Sequence, residues 1–183
     1  AIAGWLGGGA LKELADRILL FKIPLLNSLL RARGLPRSAY GMTLAHLGIA
    51  IFVCGASADS AWRSEVVFNA KEKDQTEIAG FNLKLQKVDR LKGPNYETER
   101  AHILVTKDSK TIANLYPERR FYPVQQMLTT EATIYSTVVA DLYATIGEGD
   151  KRNGWVLRIW HNPLIPWIWL GCLLMVLGGI ISP

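Results

Sequence analysis

The chain has 183 residues, 49% of them apolar, with a formal charge of +5; that is enough for one domain and leaves the class open, being close to the soluble average. The charge is unevenly placed. Lys12, Arg17, Lys22, Arg31, Arg33 and Arg37 precede residue 38 against only Glu13 and Asp16, whereas Asp59 to Arg158 holds 15 basic and 14 acidic residues. A near-neutral central segment excludes a nucleic-acid-binding surface, and the basic excess reads as a cytoplasmic juxtamembrane flank facing anionic lipid.

In chain order, Ala1 to Ala10 is apolar, with Trp5 and Gly7 to Gly9 and no basic residue before it. A secretory signal needs a positive start and a longer apolar core, so the stretch reads as the tail of an earlier transmembrane helix. Both ends of the chain are expected to be cuts within a longer protein. Leu11, Leu14, Ala15, Ile18, Phe21 and Leu25 then keep helical spacing with Lys12, Glu13, Asp16 and Arg17 on the other face. Glu13 and Arg17 stand four apart in the favourable order, and Pro24 is expected to break or kink this helix. Such an amphipathic stretch suits the cytoplasmic interface, with a partner-binding helix as the alternative.

After a basic turn with Gly34 and Pro36, Ser38 is placed to cap a helix. Ser38 to Ala58 carries no charge, nor does Ile159 to Pro183. At 21 and 25 residues these runs reach about 31 and 37 Å as helices, against roughly 30 Å of hydrocarbon. Both can span. Gly41, Ala45 and Gly48 in the first, and Gly171, Gly178 and Gly179 in the second, predict close helix packing. Trp160, Trp167 and Trp169 gather at one end of the second run, as at an outer interface.

The segment between them reads as strands. Phe81, Leu83 and Leu85 alternate with polar residues, as do Ala101, Ile103 and Val105 with their neighbours. Lys107 to Lys110 looks like a hairpin turn into Thr111 to Tyr116. Thr129 to Ile146 holds enough Thr, Val, Ile and Tyr for two strands, Gly147 to Gly154 reads as a polar loop, and Trp155 to Ile159 as a last strand. Asn162 and Pro163 suit the cap and first turn of the final helix. Five to seven strands predict an antiparallel sheet, a small barrel or a sandwich.

His46 is the sharpest chemical signal. It lies about 12 Å into an otherwise apolar span, where hydrocarbon offers an ionisable side chain no partner. A neutral imidazole suits haem iron as an axial ligand, its second nitrogen held by another hydrogen bond; the alternative is a histidine bonded to a neighbouring helix. Ala45 and Gly48 are small enough to leave room for a macrocycle. His102 falls in a predicted strand and reads as a solvent or packing residue, and His161 sits at the membrane edge. Cys54 and Cys172 differ in depth by roughly 7 Å, too far for easy bridging, and read as packing residues. No Cys-x-x-Cys-His motif is present, so the chain cannot itself carry thioether-linked haem. No zinc pattern, phosphate loop or nucleophile elbow appears, and no catalytic dyad can be named.

The run Arg31-Ala32-Arg33-Gly34-Leu35-Pro36-Arg37-Ser38-Ala39-Tyr40-Gly41-Met42-Thr43-Leu44-Ala45-His46-Leu47-Gly48 resembles the entry into a late transmembrane helix of the CcmF family. Those proteins are the large haem lyase component of cytochrome c maturation. Asn162-Pro163-Leu164-Ile165-Pro166-Trp167-Ile168-Trp169-Leu170-Gly171, with Met175, Gly178 and Gly179 beyond, resembles that family's last helix. The resemblance covers essentially the whole chain. It implies an α+β protein of the cell inner membrane, its transmembrane helices flanking a periplasmic antiparallel β domain. The corresponding boundaries are residues 1–10 for the end of an earlier span and 11–37 for the cytoplasmic segment. A span with His46 follows at 38–58, the periplasmic domain at 59–160 and the last span at 161–183.

The resemblance further implies a transmembrane haem b held by two helix histidines, of which His46 matches the second. That haem keeps the incoming haem iron reduced, with quinol as a candidate electron source. Haem arrives from the periplasmic chaperone CcmE and is joined to Cys-x-x-Cys-His of apocytochrome c, presented with help from CcmH. The family's tryptophan-rich periplasmic loop, its two flanking histidines and its first transmembrane histidine have no counterpart here. This stretch alone is therefore expected to be an incomplete lyase, part of a longer protein or one chain of a split one. A non-catalytic docking module and a cytochrome b-type electron carrier are the competing functions.

Overall fold

The computed structural model describes residues 1–182, which form two compact units, residues 1–61 with 164–182 and residues 62–163. The first is helical: α1 (Ile2–Arg17), α2 (Leu25–Arg33), α3 (Arg37–Trp62) and α4 (Ile165–Ile181). α1 runs without a break through Ala10, so the apolar start and the amphipathic stretch share one helix. The Glu13–Arg17 pair forms at 2.7 Å. The helix ends seven residues before Pro24. Leu19 adopts a left-handed φ of 53°, while the Leu20 and Leu19 amides donate to the Ala15 and Asp16 carbonyls. These are the two bonds of a Schellman stop, built here without the usual glycine. Phe21 and Leu25, expected on the helix face, lie beyond it, and Pro24 occupies the cap position of α2.

α3 begins at Arg37, so Ser38 lies in its first turn rather than ahead of it. Of the described helices, α3 is the one long and apolar enough to cross a membrane. α4 has 17 residues, about 25 Å at 1.5 Å per residue. It is shorter than the uncharged run because Asn162 and Pro163 do not open it: they end a strand. Leu164, with φ 57°, turns the chain, and Pro166 sits in the first helical turn.

The second unit contains ten strands among the described residues, all pairs antiparallel, in two sheets. The first sheet joins β1 (Ser64–Ala70), β10 (Gly154–Pro163), β9 (Ala140–Asp150) and β8 (Thr133–Ser136) in that spatial order. The second runs β2 (Gln75–Ile78), β3 (Phe81–Lys92), β4 (Glu97–Lys107), β6 (Glu118–Tyr122) and β7 (Met127–Glu131). β5 (Lys110–Leu115) and β6 share one edge of β4, which pairs with β5 from Ile103 to Lys107 and with β6 from Glu97 to Arg100. Pro117 separates the two, and its carbonyl accepts the Ala101 amide at 3.0 Å.

Alternation explains the core. Leu83, Leu85, Ala101, Ile103 and Val105 are buried from one sheet; Leu142, Ala144, Ile146, Trp155, Leu157 and Ile159 are buried from the other. A register shift between Leu85 and Lys87 moves the next inward residue of β3 to Val88. The β4–β5 hairpin turns on Asp108 and Ser109 with φ 49° and 62°, the two positive values of a type I′ turn. The expected polar loop at 147–154 is instead largely strand. β9 extends to Asp150, whose Oδ1 accepts the Arg152 and Asn153 amides at 2.7 Å. A Cβ at Gly149 would collide with the Gly154 and Trp155 backbone, so this approach needs glycine. Two facing sheets, each with free edges, make a sandwich rather than a barrel.

Candidate functional site

α3 is built as three faces. Gly41, Gly48 and Gly55, seven apart, meet α4: a Cβ at Gly48 would stand 2.7 Å from the Gly171 carbonyl oxygen. One at Gly41 would stand 2.6 Å from that of Gly178, and one at Gly55 2.9 Å from that of Leu164. Ala50 meets α1, where a Cβ at Gly7 would lie 3.3 Å from its own. His46 projects from a third side, at 100° per residue about 160° round the helix from Gly48. Its ring is exposed, flanked at helical spacing by Met42, Ile49 and Val53.

Gly41, Ala45 and Gly48 thus make the close helix packing their spacing predicts, and the room for a macrocycle expected beside Ala45 and Gly48 is not where they leave it. Gly48 and Ala45 leave no room beside the imidazole, because both are taken up by α4; the Ala45 Cβ would sit 2.9 Å from one at Gly178. Space next to His46 comes instead from the uncovered apolar face. The His46 Nδ1–H donates to the Met42 carbonyl oxygen at 2.8 Å. A carbonyl only accepts, so Nδ1 carries a proton, and in the neutral ring the lone pair is then on Nε2, on the side away from the Met42 carbonyl. This is the tautomer a metal-ligating histidine adopts when a carbonyl fixes its other nitrogen. A neutral imidazole held in this way has the donor chemistry that would suit a haem iron.

The remaining candidates stand elsewhere. His102, on β4, bonds Asn114 Oδ1 through Nε2 at 2.9 Å and stacks on Tyr116 at 4.9 Å. His161, on β10, lies 6.2 Å from the Phe81 ring; burial first, then Lys107, holds its pKa below the ordinary value. Cys54 and Cys172 are free thiols. No group of three or more His, Cys, Asp or Glu side chains gathers among the described residues. One cluster escaped sequence reasoning. Glu118, 5% exposed, accepts from Arg100 Nε at 2.6 Å, Arg120 Nε at 2.8 Å and Thr98 Oγ1 at 3.3 Å. Its partners lie 18, 2 and 20 residues away, across strands whose pairing no local pattern announces.

Fold and site together define a helix-borne β-sandwich, inserted between two glycine-paired apolar helices, the first of which presents a ligand-competent histidine. Residues 61–163 match the family model described as the CcmF C-terminal beta-sandwich, and the chain belongs to the CcmF family. It is 36% identical over 174 residues to the cytochrome c-type biogenesis protein CycK of Bradyrhizobium diazoefficiens, covering 95% of this chain and 26% of that protein. It is 38% identical to the cytochrome c-type biogenesis protein ccl1 of Rhodobacter capsulatus, over 99% of this chain and 27% of the relative. The cytochrome c-type biogenesis protein CcmF of Escherichia coli is 33% identical, over 99% and 26%. A solved structure of cytochrome c heme lyase CcmF superposes with a TM-score of 0.71 at 18% identity, over 97% of this chain and 28% of that one. The chain therefore spans about a quarter of the length of the relatives it matches.

Proposed function

We propose that this chain is the C-terminal part of a cytochrome c haem lyase, with His46 an axial ligand to a b-type haem in the membrane. The observation that carries it is the Nδ1–H···O=C bond to Met42, which leaves the Nε2 lone pair on an uncovered apolar face. When bound, the haem supplies a one-electron redox centre. The chain's own residues orient and polarise the imidazole, and Met42, Ile49 and Val53 exclude water beside it. The second ligand comes from a helix outside this chain, so this part alone is not a complete enzyme.

In this reading α3 and α4 cross the inner membrane, the start of α1 ends an earlier span, and the amphipathic and basic segments up to Arg37 lie at the cytoplasmic surface. The β-sandwich lies in the periplasm, where it meets the haem chaperone CcmE, CcmH and apocytochrome c; quinol is the candidate reductant. The names of the relatives, as cytochrome c-type biogenesis proteins, support this assignment.

His46→Ala in the full-length protein is expected to abolish a low-spin b-type spectrum and the formation of covalent cytochrome c. An unchanged haem spectrum in that variant refutes the ligand role and leaves a docking module. Loss of haem with normal cytochrome c maturation favours an electron carrier.

A further inference from the structure

Turn tips favour Gly, Pro, Asn, Asp and Ser, yet the β8–β9 turn carries Val138 and Val139, which are 78% and 62% exposed. Thr137 supplies most of the hydrogen bonding this turn needs. Its amide and hydroxyl both donate to the Ala140 carbonyl, at 2.9 and 2.8 Å. Its hydroxyl oxygen accepts the Ala140 and Val139 amides at 3.1 and 3.3 Å. Backbone groups satisfied in this way can shed water without a penalty, the condition for entering an apolar medium. The Thr137, Val139 and Ala140 amides and the Ala140 carbonyl are prepared in this way for dehydration.

Strand register gives its place in the sandwich. Ala140 pairs with Pro163, where the chain leaves this unit for α4, and Ser64, just after α3, pairs with His161 on the same strand. The turn therefore lies at the end of the first sheet where both connections to the helices emerge. Trp62, 71% exposed, lies at that connection. The second sheet brings cations to the same end: Phe81 packs on His161 at 6.2 Å, and Lys107 Nζ lies 4.8 Å over the Phe81 ring, with Lys110 across the hairpin. Apolar tip, tryptophan and lysines together match the layering of a membrane interface, with Trp at headgroup depth and ammonium groups near phosphate.

We infer that the Thr137–Val139 turn is a lipid-contacting wedge, seating Val138 and Val139 in the headgroup–acyl boundary while Lys107 and Lys110 face anionic headgroups. This rests on the assignment of α3 and α4 as membrane spans.

The test uses the full-length protein with its other cysteines replaced, reconstituted in phosphatidylethanolamine–phosphatidylglycerol vesicles. Val139→Cys and Val124→Cys, the latter in the β6–β7 turn at the opposite end of the sandwich, each carry an environment-sensitive fluorophore. The label at 139 is expected to lose quenching by aqueous iodide and to gain quenching by shallow doxyl lipid, while that at 124 shows the reverse. Iodide quenching at 139 equal to that at 124 overturns the wedge. Shielding from iodide without doxyl quenching also overturns it, since a protein then covers the turn. An impermeant maleimide on intact spheroplasts separates this from the underlying topology: it should label Val124→Cys and spare Arg33→Cys. Labelling of both, or of Arg33→Cys alone, refutes the span assignment and the wedge with it; opposite-side labelling with iodide quenching at 139 refutes only the wedge.

Discussion

Glu118 illustrates what one buried carboxylate does between two guanidinium groups. Burial alone would raise its pKa, but hydrogen bonds from Arg120 and Arg100, with their charges, outweigh that and hold it below the ordinary glutamate range. A carboxyl depressed in the folded state contributes stability that is present above its unfolded pKa and lost as pH falls through the folded value. Glu118→Ala is expected to cost about 2 kcal/mol, less than the roughly 3–5 kcal/mol of breaking a fully buried pair, because water screens part of the interaction. Arg100 is indeed 41% exposed. Glu118→Gln should flatten the loss of stability on acidification. Urea unfolding followed by the fluorescence of buried Trp155, at neutral and acid pH, checks both; an equal acid loss in wild type and Glu118→Gln would remove Glu118 from the account. The cluster was not legible in the sequence because its members come from β4 and β6, and nothing near Pro117 marks β6 as a strand. His46 was legible as a lone imidazole in an apolar run, but the face it occupies was not.

Helix pairing depends on atoms that are absent. A side chain at Gly48 meets the Gly171 carbonyl and the Met175 backbone nitrogen, neither of which can swing away. Gly48→Leu should therefore separate α3 from α4, at a cost above the roughly 1–3 kcal/mol typical of an overfilled core, and so lower the thermal midpoint of the protein in detergent. Gly179→Ala faces open space and should leave the midpoint unchanged or raise it slightly, since alanine is the better helix former. Equal effects of the two substitutions would show that the glycines act through helix propensity rather than close approach. Glycine spacing predicted some close packing, but which glycines meet which depends on the antiparallel alignment of helices separated by a hundred residues. The end of α1 was misplaced for a local reason. A Schellman stop with leucine in the left-handed position has no compositional marker, and Pro24 is the more visible breaker.

At the level of the whole molecule, the sandwich is an insertion whose two ends pair with each other through Ser64 and His161. The compact unit, residues 62–163, nearly coincides with the stretch matched by the family model, 61–163. A closed core with adjacent termini is the arrangement of a domain able to fold alone. Residues 62–163 expressed without the helices are expected to unfold cooperatively and to keep a near-ultraviolet signal from Trp155. A broad, non-cooperative transition would mean that the helices are needed to fix the core.

What the sequence determined by itself were the features set by neighbours a few residues apart. These are the uncharged run from Ser38 to Ala58 within α3, the basic flank before it, the alternation in β3 and β4, the turn at Lys107–Lys110 and the resemblance that led to the family. Tertiary structure decided the rest. Only strand pairing could divide the edge of β4 between β5 and β6, shift the register at Leu85, carry β10 through Pro163 and set the Val138–Val139 turn beside the chain's exits. Only helix packing could commit Ala45 and Gly48 to α4 and leave the His46 ring on an open face. The physical reason is the same in each case: these outcomes depend on which distant surfaces meet, and a local period records the shape of one surface without naming its partner.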